Sequence, residues 1–284
     1  IHFKRLTFGR SIVSIALHSL LHFMTRSTFL KSTVAASGLV GMAQELTAAD
    51  KPGGVAKEYF EIRKYTLKSA EKQGVLEAYL KDAAIPALNR IGVQNVGVFL
   101  PEKVEGAPVV YVVLRYGSLD QFAKSAELLS DVALQKQGAA YLDVPATDVV
   151  YERVESWLTQ GIAGMPAMAV PAKGSTVYQL RIYESPTEKT GKKKVEMFNI
   201  GELAIFKRSG LNAVFFGETI VGPLMPNLTY MLSFNDAAAK DQAWNTFRVD
   251  PEWTKLKTTP GFTDKEIVSR ITNIVLVSAA YSQI

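Results

Sequence analysis

The sequence predicts an α+β protein made of two tandem ferredoxin-like βαββαβ domains. Three observations carry this. One segment pattern occurs twice, at a spacing that stays between 117 and 119 residues. Within each copy, period-two alternation and helical three- or four-residue spacing follow one another in the same order. Glycine, proline and N-capping residues separate the segments at matching positions.

The repeat is read directly. Phe60-Glu61-Ile62-Arg63-Lys64-Tyr65 aligns with Tyr178-Gln179-Leu180-Arg181-Ile182-Tyr183. Arg90-Ile91-Gly92 aligns with Arg208-Ser209-Gly210, Val110–Leu114 with Thr229–Ser233, Asp131 with Asp250, and Val150–Val154 with Ile267–Ile271. Chance similarity would not hold this register across a whole unit.

Each unit opens with an alternating strand, over 58–66 and over 176–183. A helix follows: Leu76, Tyr79, Leu80, Ala83, Ala87 and Ile91 recur at helical spacing. Gly92 and Gly210 are suited to end it, and Pro86 should kink the first copy. Two strands come next, over 95–101 and 109–116, then over 213–219 and 228–234. Gly106-Ala107-Pro108 marks the first turn between them, and Pro223 with Pro226 marks the second. Ser118 and Asp236 offer side-chain oxygens for the N-cap of a further helix. A last strand, over 147–157 and 265–277, completes a split βαβ order. The domain reading is a leader over 1–49, domains over 50–160 and 176–284, and a linker over 161–175, rich in Gly, Pro, Ala and Met.

Composition narrows the chemistry. The chain has no cysteine, and its three histidines, His2, His18 and His22, all lie in the leader. The domains therefore lack the residues for Ser–His–Asp or Cys–His catalysis, thiolate or imidazole metal sites and a histidine base. No phosphate-binding glycine loop and no clustered carboxylates occur, so no metal and no cofactor are predicted. The net charge is +5, but residues 1–49 account for +4 of it, with Lys4, Arg5, Arg10, Arg26 and Lys31 against Glu45. The near-neutral remainder gives no footprint for nucleic acid, and no stretch is apolar for long enough to span a membrane.

The leader reads as an export signal. Met24 is the expected start, Arg26 and Lys31 form a basic region, residues 32–42 are small and apolar, and Thr47-Ala48-Ala49 offers a cleavage site. Arg26-Ser27-Thr28-Phe29-Leu30-Lys31 is similar to a twin-arginine motif with Ser27 in place of the second arginine, so the Sec route stands beside it.

The opening strand, with Glu61, Arg63 and Tyr65 in alternation, resembles the strand that opens NIPSNAP domains. Asp250-Pro251-Glu252-Trp253 is similar to a motif late in those domains, whereas the first copy reads Asp131-Val132-Ala133-Leu134. The resemblance covers about residues 57–280. It implies the dimeric α+β barrel architecture, here pseudo-dimeric, with two ferredoxin-like sheets closed edge to edge around a central cavity.

Alternation puts Phe60, Ile62, Tyr178, Leu180 and Ile182 on one strand face, and Glu61, Arg63, Tyr65, Gln179, Arg181 and Tyr183 on the other. Helices are expected to cover the apolar face, so that the polar face lines the cavity. Glu61, Arg63, Tyr65, Arg181 and Tyr183 are then the candidate ligand contacts, the arginines holding a carboxylate or enolate and the tyrosines donating hydrogen bonds. The competing reading is an internal Arg–Glu pair that sets strand register. Arg90 and Arg208 are read as cations at helix C-termini, Lys192-Lys193-Lys194 as a solvated helix start, and Asn227-Leu228-Thr229 as a glycosylation sequon. The functional expectation is an exported protein that binds a small organic ligand or acts as a scaffold. The alternative is a cofactor-independent monooxygenase or isomerase working in the cavity. Self-association through sheet edges fits either.

Overall fold

A computed structural model describes residues 55–284. The leader and its export signal lie outside the described residues. The strands are β1 (Tyr59–Leu67), β2 (Gly97–Pro101), β3 (Val109–Tyr116), β4 (Tyr151–Gly161), β5 (Val177–Glu184), β6 (Asn212–Val221), β7 (Asn227–Phe234) and β8 (Arg270–Ser278). They close into one barrel in the order β1-β3-β2-β8-β5-β7-β6-β4. Each half contributes its strands in the ferredoxin-like arrangement, with its fourth strand beside its first. Two antiparallel seams join the halves. β2 meets β8 from Phe99↔Ser278 to Pro101↔Leu276, and β4 meets β6 from Leu158↔Val221 to Gly161↔Gly217. A Cβ on Gly217 would run into the Thr159 side chain, so the second seam needs a glycine there.

The helices repeat as well. α1 (Ala70–Tyr79) is capped by Ser69, whose side chain accepts from the Lys72 N–H. It passes through a π turn (Leu80–Ala84) into α2 (Ile85–Arg90). In the second half α5 (Glu188–Met197) passes through a π turn (Phe198–Glu202) into α6 (Leu203–Arg208). The second π turn forms without a proline, since Ala204 stands opposite Pro86. The deformation therefore belongs to the repeat rather than to Pro86 alone. Ser118 and Asp236 cap α3 (Leu119–Ser125) and α7 (Ala237–Val249), as their oxygens suggest.

Asp131 and Asp250 also cap helices, α4 (Val132–Leu142) and α8 (Pro251–Leu256). The last strand begins later than expected in both copies. In the second, Thr263 and Glu266 make a capping box for α9 (Asp264–Ile267), and this local hydrogen bonding overrides the strand pattern.

The sequence assigns the two strand faces the wrong way round. The apolar set lies inside the barrel: Phe60, Ile62, Phe99, Tyr111, Val113, Trp157, Tyr178, Leu180, Phe215, Met231 and Leu276 form one buried cluster drawn from all eight strands. The Phe60 and Phe215 rings sit 4.9 Å apart, and those of Phe99 and Tyr178 4.7 Å apart. An eight-stranded barrel is just wide enough to be filled by its own side chains, so it forms a core rather than a channel. Glu61, Arg63, Tyr65, Arg181 and Tyr183 point outward, toward the helical layer. There a second apolar cluster surrounds Tyr65, Leu76 and Leu80, and a third surrounds Tyr183, Phe198 and Phe206. Closing the barrel also consumes the sheet edges expected to serve self-association.

Candidate functional site

β1 and β5 run toward the same end of the barrel, which makes that end a shared mouth. The opposite end is stoppered from within the chain. The segment after β4 folds back across it: the Glu58 N–H donates to the Pro166 carbonyl, the Glu58 carboxylate accepts from the Met168 N–H, and Met168 packs into the interior cluster. Residues 162–176 are thus tied to the barrel over part of their length. Ile284 packs against the same interior cluster.

At the open mouth a cavity of about 100 Å³ remains. The first half lines one side with Lys64, Tyr111, Glu155 and Trp157, and the second half lines the other with Ile182, Thr272, Ile274, Asn227, Pro223 and Leu224. The Lys64 ammonium donates to a Glu155 oxygen at 3.0 Å, and both side chains are about one-third exposed. The repeat replaces this pair with Ile182 and Thr272, which face each other across β5 and β8. The mouth is therefore charged on one wall and mostly apolar on the other. Tyr111 is buried beneath the pair. Its burial, with the nearby Glu155 charge, pushes its pKa up to about 12, so it stays a neutral hydroxyl. Trp157 is 5% exposed, and among the described residues its indole N–H has no acceptor. A buried N–H without a partner costs free energy.

The loop from Gly222 to Pro226 forms the apolar rim. Leu224 has φ +62°, and Ile220, Val221, Leu224 and Met225 are exposed. Asn227 is buried at the base of this loop. Its amide donates to the Leu224 carbonyl at 2.9 Å, and its oxygen accepts from Thr219 and Thr229. The folded chain thus hides the sequon asparagine.

The five sequence-predicted residues form two unequal clusters outside the barrel. Arg63 grips Glu61 through two bonds, Nε to Oε1 at 2.6 Å and a terminal nitrogen to Oε2 at 2.9 Å. Tyr116 and Ser156 donate to the same carboxylate at 2.9 and 2.8 Å. Burial alone would raise the Glu61 pKa, but Arg63 and these hydroxyls hold it below the usual carboxylate value. This is the internal pair that the sequence offered as the competing reading, and Tyr65 packs beside it in the helical core.

In the second half Gln179 replaces Glu61. Its amide oxygen accepts from Trp244 Nε1 at 2.6 Å, and its nitrogen donates to Asn273 at 2.7 Å. Arg181 lies with its guanidinium carbon 4.6 Å from the Trp244 ring centre and donates to the Tyr183 hydroxyl at 3.0 Å.

Other expectations change when side chains meet. Arg90 bonds Asp131 at 2.8 Å, and Arg208 grips Asp250 through two bonds at 2.7 and 2.8 Å. The repeated Arg and the repeated Asp are therefore two ends of one ion pair that joins the helices. Lys194 is the clearest correction. It lies on the inner side of α5, fully buried, 3.2 Å from the equally buried Glu202. The sequence did not point to Tyr111, Glu155 or Trp157 as site residues. Their one signal is parity with Lys64 across paired strands.

The NIPSNAP family profile matches residues 178–283. No curated protein matches the chain. Among solved structures, a monooxygenase candidate from Fusobacterium nucleatum is similar at 11% identity with a TM-score of 0.54, covering 79% of this chain and 93% of that one. A second monooxygenase candidate, from Lactobacillus acidophilus, is similar at 12% identity with a TM-score of 0.51, covering 78% and 94%. A NIPSNAP-like domain protein from Burkholderia xenovorans shares 16% identity with a TM-score of 0.35, over 38% of this chain and 90% of that one. At these identities the likeness to the two full-length neighbours concerns the fold.

Proposed function

Taking residues 178–283 as a NIPSNAP domain that shares one closed barrel with the first half, we propose that the chain is a binding protein for a small, neutral organic ligand. The ligand sits at the open mouth and not in the barrel centre. The observation that carries this is the filled interior with a cavity of about 100 Å³ at its mouth, walled by an ion pair on one side and mostly aliphatic groups on the other. Lys64 and Glu155 neutralise each other, so the mouth favours an uncharged guest. Trp157 lines the cavity, so its indole N–H resonance reports on a guest there. Ile182, Ile274, Pro223 and Leu224 offer a surface for a small apolar body. The volume is well below the several hundred Å³ of a typical substrate pocket, which weighs against monooxygenase or isomerase chemistry in the barrel centre.

The test is indole N–H NMR with ring-sized neutral carbonyl and phenol compounds. Trp157→Phe identifies the Trp157 resonance by its disappearance. At least one compound should move that resonance while leaving those of Trp244 and Trp253 in place, and crystals soaked with it should show density beside Trp157. A Trp157 resonance unmoved by every compound would sink the proposal. Export is part of the same reading. N-terminal sequencing of the secreted protein should find a mature chain starting after Ala49, and a mature chain that retains Met24 would remove it.

A further inference from the structure

The charged wall of the mouth is more than barrel closure requires. Lys64, Tyr111 and Glu155 lie side by side on β1, β3 and β4, because Lys64 pairs with Tyr111 across one strand neighbour and with Glu155 across the other. The matching positions in the second half are Ile182, Thr229 and Thr272. That half completes the same barrel without a charge at these three positions. An ion pair set against a buried core carries a desolvation cost that hydrophobic residues avoid. Lys64, Tyr111 and Glu155 all line the cavity. Lys64 donates to Oε2 of Glu155 at 3.0 Å, and among the described residues no side chain engages Oε1 or the Tyr111 hydroxyl. The two charged side chains keep about a third of their surface exposed, so a guest can reach them. The wall thus offers a carboxylate oxygen able to accept a proton and, beside it, two donors, an ammonium and a neutral phenol.

We propose that this wall catalyses proton transfer at carbon in a small neutral ketone or aldehyde, a reading that rests on the neutral-guest site proposed above. Glu155 is the base. Its free oxygen takes a proton from the carbon next to the carbonyl, the C–H electrons form the C=C bond of an enolate, and the carbonyl π electrons move onto oxygen. Lys64 and the Tyr111 hydroxyl donate to that oxygen. Negative charge leaves the carboxylate as it appears on the enolate, and the ammonium stays beside both, so the mouth gains no net charge during the step. Burial and the Glu155 charge keep Tyr111 a neutral donor at neutral pH. Glu155 then returns a proton. Return to the same carbon exchanges that hydrogen with water, and return to a conjugated carbon moves a double bond.

The experiment uses the full chain with cyclopentanone and cyclohexanone. Binding is read in water from the Trp157 indole resonance, and loss of the ketone's α-proton signals is followed in heavy water at neutral pH. Wild type should speed the exchange about 100-fold or more over buffer alone. Glu155→Gln keeps the size of the side chain, so the ketone should still move Trp157 while the acceleration is lost. Tyr111→Phe should lower the rate and leave binding in place. A ketone that moves Trp157 without faster exchange, or a Glu155→Gln chain that exchanges as fast as wild type, would overturn the proposal and leave the binding reading standing. Loss of binding together with exchange in Glu155→Gln would make Glu155 a contact rather than a base, which overturns it as well. A Trp157 signal unmoved by either ketone, with no exchange, overturns the proposal and counts against the binding reading itself.

Discussion

Single residues show how one scaffold diverges between its copies. Lys194 and Glu202 stand where the first half has Leu76 and Ala84. Both charges are buried, at 1% and 2% side-chain exposure. Burial raises the Glu202 pKa, and the Lys194 charge opposes that rise. Removing one partner strands the other in an apolar layer. Lys194→Met or Glu202→Gln alone should therefore cost about 3–5 kcal/mol in denaturant unfolding. The double change Lys194→Leu/Glu202→Ala, which installs the first half's own solution, should be far milder than the sum of the single changes.

Asp250 gives a pH dependence at the same scale. Its bonds from Arg208 and from the α8 backbone hold its pKa at about 2, below the ordinary 3.8. A depressed folded-state pKa contributes stability that is whole above about pH 4 and lost as the pH falls toward 2. Carboxyl NMR should find Asp250 titrating at about 2, and Arg208→Gln should return it toward the ordinary value. The arginine and aspartate repeats are plain in the sequence. That they meet is not, because 42 residues separate Arg208 from Asp250.

At the scale of elements, local rules act where the sequence suggests. Gly92 and Gly210 both end their helices at φ +81°. Alanine at either should cost about 1–2 kcal/mol, because a Cβ disfavours the left-handed conformation, and differential scanning calorimetry should show each drop. Caps at Ser118 and Asp236 are legible because a single side chain and the next turn of backbone decide them. The π turns are less legible. Pro86 points to a kink in the first copy, but Phe198–Glu202 deforms at the matching place without a proline. Glu202 ends that turn, and Lys194 on α5 meets it at 3.2 Å. A run of three lysines therefore looks solvated in the sequence, while the fold buries its third member.

For the whole molecule, closure is the decisive event. The seams β2–β8 and β4–β6 let each half cover the other's open edges, and unpaired edges invite association. Residues 55–161 expressed alone should therefore self-associate rather than stay monomeric in light scattering, and adding the second half should shift them to a one-to-one complex. Gly217→Val should weaken the β4–β6 seam, since any Cβ there meets Thr159. The expected loss is about 1–3 kcal/mol from overpacking, with more weight in oligomeric forms.

From the sequence came the repeat, the order of strands and helices, the main caps and stops, and the shared parity of residues in β1 and β5. These follow from interactions within a few residues or from comparing the copies. The match of Val110–Leu114 with Thr229–Ser233 is one residue off the structural register, which pairs Arg63 with Val112 and Arg181 with Tyr230. Only the tertiary structure decided which parity faces inward. A strand in this barrel is covered on both sides, by the barrel core and by helices, so alternation separates two faces without saying which is central. The eight-stranded lumen takes the face that fills it, Phe60, Ile62, Tyr178 and Leu180. Arg63 and Arg181 go to the outer layer, where a guanidinium can reach a partner or the solvent. That choice moved the candidate ligand site from the predicted cavity to the mouth lined by Trp157.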